Sequence, residues 1–297
     1  MKLAHYLRDG ETRAGIVEGD RIFDLQDGAK DSALEMPVTI DEILSRGMLQ
    51  SSEQLQETIA TQKGKAIRSV KLLSPILVPE KILLVAVNYL SHGKEQNVNM
   101  PTEPYFFTKF KNALIGPGDP ILVPRVSKKV DWEVELAVII GKTGKYISRK
   151  DAFDHVAGYA VCNDVSFRDL RFPSATPGQP SRLGLNWVKT KGLDSSFPLG
   201  PWLVTKDEIP NPHNLEISLS VNGDMKQRSN TGEMLFKIDF LIEYLSAGIT
   251  LNPGDIISTG TPEGVAFFTS QQFLKGGDSV EGRIERIGTL RNPVKAE

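Results

Sequence analysis

Asp131-Trp132-Glu133-Val134-Glu135-Leu136-Ala137-Val138-Ile139-Ile140 is the stretch on which the reading of this chain turns. Its β-branched and aromatic residues favour a pleated backbone. Side chains alternate faces along a strand, so Glu133 and Glu135 share one side while Val134, Leu136 and Val138 take the other. A strand this apolar is expected to be buried on at least one face. Two unpaired carboxylates there would cost several kcal/mol, so something must compensate them. A hard divalent cation is the simplest partner, because Mg²⁺, Mn²⁺ and Ca²⁺ all take oxygen ligands. The spacing alone equally allows both glutamates on the solvated face of an edge strand. The surrounding residues must decide.

A third carboxylate, Asp164, closes the apolar run Gly158-Tyr159-Ala160-Val161-Cys162-Asn163. A neighbouring strand can deliver it beside the two glutamates. Three carboxylates with positions left open for water and substrate suit Mg²⁺ or Mn²⁺, with Ca²⁺ also accommodated. Zinc is disfavoured, since His5, His92, His155 and His213 have no ligand spacing. In Asn88-Tyr89-Leu90-Ser91-His92-Gly93-Lys94-Glu95, a helix would make His92 and Glu95 neighbours. A carboxylate beside an imidazole orients it and raises its basicity, which suits a general base on water. Gly93 and the polar tail after it suggest a lid. Lys109, Arg168 and Lys191 are cations that could face an anionic substrate, although Lys189 competes with Lys191. The bend Ser258-Thr259-Gly260-Thr261-Pro262-Glu263-Gly264 offers backbone N–H groups and hydroxyls to a carboxylate or phosphate, without a P-loop signature.

Composition narrows the class. A chain of 297 residues suits one large domain, or a main domain with a smaller one attached. With 40% hydrophobic and 24% charged residues it reads as an ordinary globular protein. A formal net charge of −2 gives no field that would draw it to nucleic acid or an anionic membrane. The single cysteine, Cys162, precludes an intrachain disulfide and is expected to be buried filler in a reducing compartment. No stretch approaches a membrane-spanning length, and the N-terminus has no signal-peptide layout. The expectation is a cytoplasmic protein.

Hairpin signals open the chain, with strands expected at 3–8, 14–17 and 21–25. A short helix capped by Thr39 or Asp41 and a surface helix over 51–65 follow. Ser74-Pro75 and Pro79 mark a boundary, which divides a small N-terminal α+β module (1–73) from a main domain (74–297). Strands are expected in the main domain at 82–87, 105–109, 133–140, 157–165, 200–204, 215–221 and 256–258. Val221-Asn222-Gly223-Asp224 reads as a two-residue hairpin turn. Helices are few, at 150–155 and 236–246. The fold class is mixed, β-rich α+β.

In this order, the elements resemble the fumarylacetoacetate hydrolase family. The similarity rests on Asn88-Tyr89-x-x-His92-x-x-Glu95, Asp131-Trp-Glu133-Val-Glu135-Leu, Asn163-Asp164-Val-Ser-x-Arg168-Asp169, Gly200-Pro201-Trp202, Val221-Asn-Gly and Pro253-Gly-Asp255-Ile-Ile-Ser-Thr259-Gly-Thr-Pro262. It implies a rolled β-sheet around a metal, and usually a homodimer. It implies Mg²⁺, Mn²⁺ or Ca²⁺ on Glu133, Glu135 and Asp164. It selects Lys191 over Lys189, through Lys191-Gly-Leu-Asp194-Ser195. It implies Arg168, Gly260 and Thr261 as substrate contacts. Many relatives carry glutamine seven residues after the metal aspartate, where this chain has Arg171, followed by a long segment rich in Pro, Gly and Ser over 172–185. A second cation there would favour a more anionic substrate.

The activity implied is C–C bond hydrolysis of a 2,4-dioxo acid of the acylpyruvate type, with pyruvate released and the small-molecule 2-oxo acid held on the cation. Lys191 and Arg168 would steady the developing charge, and His92, polarised by Glu95, would activate water. An oxaloacetate decarboxylase or a 2-hydroxy-dienoate isomerase or hydratase would use the same residues. A non-catalytic metal-binding scaffold is the reading from outside enzymology.

Overall fold

The computed structural model describes residues 1–28, 36–170 and 186–297, so Arg171 and the 172–185 segment lie outside the described residues. The protein is a mixed, sheet-rich α+β fold. The stretch that opens the sequence argument becomes the strand Val134–Ile140, every residue of which is buried. Burial on both faces removes the edge-strand alternative.

That strand sits inside the larger sheet. Its antiparallel neighbours are Val156–Asn163 on one side and Ile256–Ser258 on the other. Beyond Ile256–Ser258 come Ile82–Ala86, in parallel, and then Tyr105–Lys109. Beyond Val156–Asn163 come Phe197–Thr205, Lys2–Arg8, Glu11–Glu18 and Arg21–Asp24. The N-terminal hairpins therefore extend the main sheet, with Lys2 opposite Val204 and Leu3 opposite Leu203. Sequence boundary and packing boundary differ here: strand pairing crosses residue 73, and one core joins Leu3, Ile16, Ile40 and Leu44 to Ala137, Ile139, Cys162 and Leu199.

The other face of the central strand presents Val134, Leu136, Val138 and Ile140 to a second, five-stranded sheet. Its order is Asp224–Asn230, Glu216–Val221, Ser279–Ile284, Gly288–Ala296 and Ile121–Val123. Gly282 permits the close approach, because a Cβ there would lie 3.2 Å from Val134 Cγ2 and 3.4 Å from Val161 Cγ1. Four of these strands were not expected: three carry sequences too polar for simple alternation to reveal, and Ile121–Val123 is only three residues long. The hairpin turn appears as read, with positive φ at Asn222 and Gly223 (54° and 88°).

Thr39 caps the helix Ile40–Ser45 by accepting from Glu42 N at 3.1 Å. The expected 51–65 helix is shorter, ending at Glu57 before a two-residue strand at Lys65–Ala66. The segment before Val156–Asn163 is a 3₁₀ helix, Arg149–His155. No described helix is long and apolar enough to cross a membrane.

Candidate active site

Glu133 immediately precedes the central strand, and Glu135 lies within it on the face of Ala137 and Ile139. Asp164 follows the paired strand. One side-chain and one backbone acceptor lock the two strand ends together: Glu133 N donates to Asn163 Oδ1 at 2.8 Å, and Asp164 N donates to Glu133 O at 2.8 Å. The three carboxylates converge, with one oxygen from each within 4.8 Å of the others, and all three are buried.

The charges around them are unequal. Among the described residues, Asp131, Glu133 and Asp164 form ion pairs with Lys109, Lys191 and Arg168, so four carboxylates, Glu135 included, meet three cations. Lys191 Nζ donates to Glu133 Oε2 at 2.6 Å and to Asp164 Oδ2 at 2.5 Å. Arg168 Nε donates to Asp131 Oδ2 at 2.9 Å, and its second nitrogen bonds Glu133 Oε1. Lys109 lies 2.9 Å from Asp164 Oδ1. Among the described residues Glu135 has no ion pair; Ser258 Oγ and Gly260 N both donate to its Oε2, at 2.5 and 2.8 Å.

Proton affinities follow. Burial opposes ionisation of Glu133, but the Lys191 and Arg168 charges outweigh it and hold that carboxyl well below the ordinary range. Burial pushes Glu135 well up, and the Asp164 and Glu133 charges add to it. Burial also raises Asp164, against the pull of Lys109 and Lys191. Burial draws Lys109 down to about 8 in spite of Asp164. For Lys191 the opposing charges of Asp164 and Glu133 exceed the burial effect and raise its pKa.

This donor set fits a hard divalent cation. Three buried carboxylates converge; among the described residues Glu135 makes no ion pair, and Asp164 Oδ1 has no aligned hydrogen-bond donor although the Lys109 ammonium lies close by. The charge that burial leaves uncompensated is what a cation would supply.

A cavity of ≈ 240 Å³ opens onto these carboxylates. His92 lines one wall. Its Nδ1 is 3.0 Å from Glu95 Oε2, an acceptor, so Nδ1 carries the proton. Its Nε2 is 2.5 Å from Gln96 Nε2, a donor, so Nε2 holds the lone pair. Glu95 Oε1 accepts from Gly264 N at 2.9 Å, which docks the Leu90–Glu95 helix onto the 259–264 bend. Opposite, Trp187 stacks on Phe107 with centroids 4.4 Å apart and starts the short helix that ends at Lys191. That helix buries Lys191 and exposes Lys189.

Other expected substrate contacts take different partners. Lys109 stands behind Asp164, donating to Val165 O, Ser196 O and Ser196 Oγ, and does not line the cavity. Gly260 spends its N–H on Glu135, and the Thr261 hydroxyl donates to Val134 O at 2.8 Å, although Thr261 does reach the cavity wall. Gly260 has φ +90°, and a Cβ there would sit 2.8 Å from Asn88 Cβ. Arg168 pairs with Asp131 rather than Asp169, which accepts instead from Ser127 Oγ and Lys128 N.

Several supporting residues escaped sequence reasoning. Asp131 accepts from Ala266 N and Phe267 N as well as from Arg168, and so aims the guanidinium. Gln227, from the second sheet, accepts from Val134 N and donates to Thr261 Oγ1 and Pro262 O. Asn88 ties Phe236 to Thr259. The Asn88 and Asp131 positions lie inside quoted motifs and could have been found there; Gln227 had no sequence signal.

Comparison with known proteins agrees. The model of the fumarylacetoacetate (FAA) hydrolase C-terminal domain matches residues 81–295. The chain belongs to the fumarylacetoacetate hydrolase family. It is 45% identical over 280 residues to a protein named oxaloacetate tautomerase fahd2, mitochondrial, from Xenopus laevis, covering 93% of this chain and 83% of that one. It is 47% identical over 261 residues to the Bos taurus oxaloacetate tautomerase FAHD2B, mitochondrial, covering 87% and 80%. Among solved structures, a putative HpcE protein from Mycobacterium smegmatis superposes with TM-score 0.83 at 32% identity, covering 100% of this chain and 99% of that one. A probable 2-hydroxyhepta-2,4-diene-1,7-dioate isomerase from Mycobacterium abscessus gives 0.79 at 30%, covering 100% and 99%. Maleylpyruvate hydrolase from Sphingobium sp. SYK-6, in complex with manganese(II) ion and pyruvate, gives 0.78 at 33%, covering 100% and 99%. This family of enzymes thus holds hydrolases, isomerases and tautomerases on one fold.

Proposed function

We propose that this protein catalyses keto–enol tautomerisation of a 2-oxo dicarboxylate of the oxaloacetate type, with Mg²⁺ or Mn²⁺ on Glu133, Glu135 and Asp164. The observation that carries the reading is His92: an imidazole whose Nδ1–H is fixed by Glu95 and whose Nε2 lone pair shares one cavity with the three carboxylates. The relatives named oxaloacetate tautomerase support it, at 45% and 47% identity.

When bound, the divalent cation supplies Lewis-acid stabilisation of negative charge on the 2-oxo oxygen. The chain's own residues do the rest. Lys191 and Arg168, both on the cavity wall, attract the substrate's carboxylates. His92 Nε2 takes a proton from C3, and Glu95 stabilises the imidazolium. The C3–H electron pair becomes the C2=C3 π bond, the carbonyl π pair moves to the 2-oxygen, and the His92 imidazolium returns its Nε2 proton to that oxygen, which completes the enol and restores the neutral base. The reverse sequence returns the keto form. Phe107, Trp187 and Phe268 keep the wall apolar, which strengthens each electrostatic contact.

A second reading, hydrolysis of a 2,4-dioxo acid to pyruvate, is supported by the His92–Glu95 pair and by the neighbour named maleylpyruvate hydrolase. It asks His92 to activate a water as well. A homodimer belongs to the same proposal and would show as twice 32.7 kDa in solution.

The test follows the ultraviolet absorbance of oxaloacetate enol after mixing with metal-loaded protein, with pyruvate measured in parallel from oxaloacetate and from an acylpyruvate. Fast enol–keto exchange with slow pyruvate release is expected. Rapid pyruvate release from the acylpyruvate without faster enol–keto exchange would select hydrolysis.

A further inference from the structure

Gln96 lies at the C-terminal end of the lid helix, four residues beyond His92, and its side chain reaches the cavity wall. Its amide nitrogen is 2.5 Å from His92 Nε2. With Nδ1–H committed to Glu95, Nε2 has one lone pair, and the Gln96 N–H occupies it. A base whose only lone pair is held by a donor takes no proton from carbon. In this state His92 is masked.

We infer that Gln96 is a latch that ties the basicity of His92 to a second carboxylate on the substrate. The latch rests on the tautomerase reading and goes beyond it, to substrate choice. The amide can leave Nε2 only if it gains a better acceptor in the cavity. A neutral amide–imidazole bond is weaker than a bond to a carboxylate, roughly by a factor of two. A substrate with a carboxylate beyond C3 supplies that acceptor, draws the Gln96 amide across and frees Nε2 for the C3 proton. A 2-oxo acid ending in a methyl or phenyl group supplies none, so the masked state persists and the competent fraction stays small. Gln96 is a positioning residue on this account, acting through His92.

The experiment compares wild type with Gln96→Met, which keeps length and removes the amide. Tautomerisation of oxaloacetate and of phenylpyruvate, which has a single carboxylate, is followed on Mg²⁺-loaded protein. The ratio of kcat/KM values, oxaloacetate over phenylpyruvate, is expected to fall about tenfold or more in the variant, the scale of one lost charge-assisted hydrogen bond. The oxaloacetate loss should fall chiefly on KM. An unchanged ratio, whether both activities drop together or neither moves, overturns the latch. A second arm needs no turnover and decides the latch even if wild type tautomerises neither substrate, an outcome that would sink the tautomerase reading alone. In histidine-selective ¹⁵N spectra, Gln96→Met should move the His92 Nε2 resonance of the ligand-free protein. In wild type, 3,3-difluorooxaloacetate, which has no C3 proton, should move it too, and oxalate should not. Identical His92 signals in wild type and variant, or equal shifts from both ligands, would contradict the latch.

Discussion

The Lys191 ammonium stands 2.5 Å from Asp164 Oδ2, on one of the three carboxylates that would hold a divalent cation. It also donates to Glu133, and it crosses the face of Phe107 with Nζ 5.2 Å from the ring centroid. One positive charge thus holds two of the three metal carboxylates. A cation on this trio would share Glu133 and Asp164 with Lys191.

Lys191→Met should therefore separate binding from turnover. The carboxylates lose a competitor, so Mn²⁺ affinity measured by calorimetry should hold or rise. Turnover of oxaloacetate should fall by about a hundredfold or more, the scale of a lost electrostatic contact in a dry site. A parallel loss of Mn²⁺ affinity would place Lys191 in the metal scaffold instead.

Burial, with the Asp164 and Glu133 charges added to it, disfavours Glu135 as an anion. Glu135→Gln keeps an oxygen for the Ser258 and Gly260 donors and removes the uncompensated charge. Metal-free protein should melt at an equal or higher temperature, since removing a strained buried charge is commonly neutral or stabilising. Mn²⁺ binding and turnover should both be lost.

The same carboxyls set a pH dependence. Glu135 and Asp164 have folded pKa values raised above 4.5 and 3.8. The folded metal-free chain then binds more protons than the unfolded one, so these groups favour folding at low pH, and that contribution is lost as pH climbs through the raised values. Metal binding demands the deprotonated forms, so Mn²⁺ affinity should rise with pH over the same window. Calorimetric titrations at increasing pH above the ordinary carboxylate range read the slope, and a flat profile would remove both groups from the metal site.

His5 offers a test of the N-terminal module. Its Nδ1–H donates to Ser74 O at 2.9 Å and its Nε2 accepts from Ile40 N at 2.7 Å, joining the first strand to the linker and to a helix start. Burial lowers its pKa below 6.5, so the folded protein holds it neutral. Stability from this group is complete above the unfolded value and is lost as pH falls below it. His5→Ala should cost about 1–3 kcal/mol at pH 8, for the backbone groups left unsatisfied. The gap from wild type should narrow at pH 5, measured by urea unfolding.

Much of this was legible in the chain. The Glu133–Glu135 alternation fixed their common face, and Asp164 needed only an adjacent strand. The turn at Asn222-Gly223 was legible because both residues tolerate positive φ. The second sheet was not, because strands such as Asp224–Asn230 are polar on their open side and acquire their role from Gln227, whose partners lie in another sheet. The union of the N-terminal hairpins with the main sheet was hidden for a similar reason. Pairing between Lys2 and Val204 is a contact across the whole fold that no local pattern encodes. Lys109 shows the opposite failure: its residue type suggested a substrate contact, and burial behind Asp164 gives it a supporting place.

Gly260 tests the 259–264 bend. At φ +90°, with no room for a Cβ beside Asn88, Gly260→Ala strains the backbone by about 1–3 kcal/mol and displaces the N–H that serves Glu135. Melting temperature and Mn²⁺ affinity should fall together, whereas a lower melting temperature at full affinity would detach this N–H from the metal site.

The most direct measurement is an electron paramagnetic resonance titration of Mn²⁺ into the purified protein, repeated with Glu135→Gln. The account predicts a single saturable site per chain in wild type, perturbed by added oxalate, and none in the variant. Free Mn²⁺ signal throughout the wild-type titration, or equal binding by the variant, would contradict it.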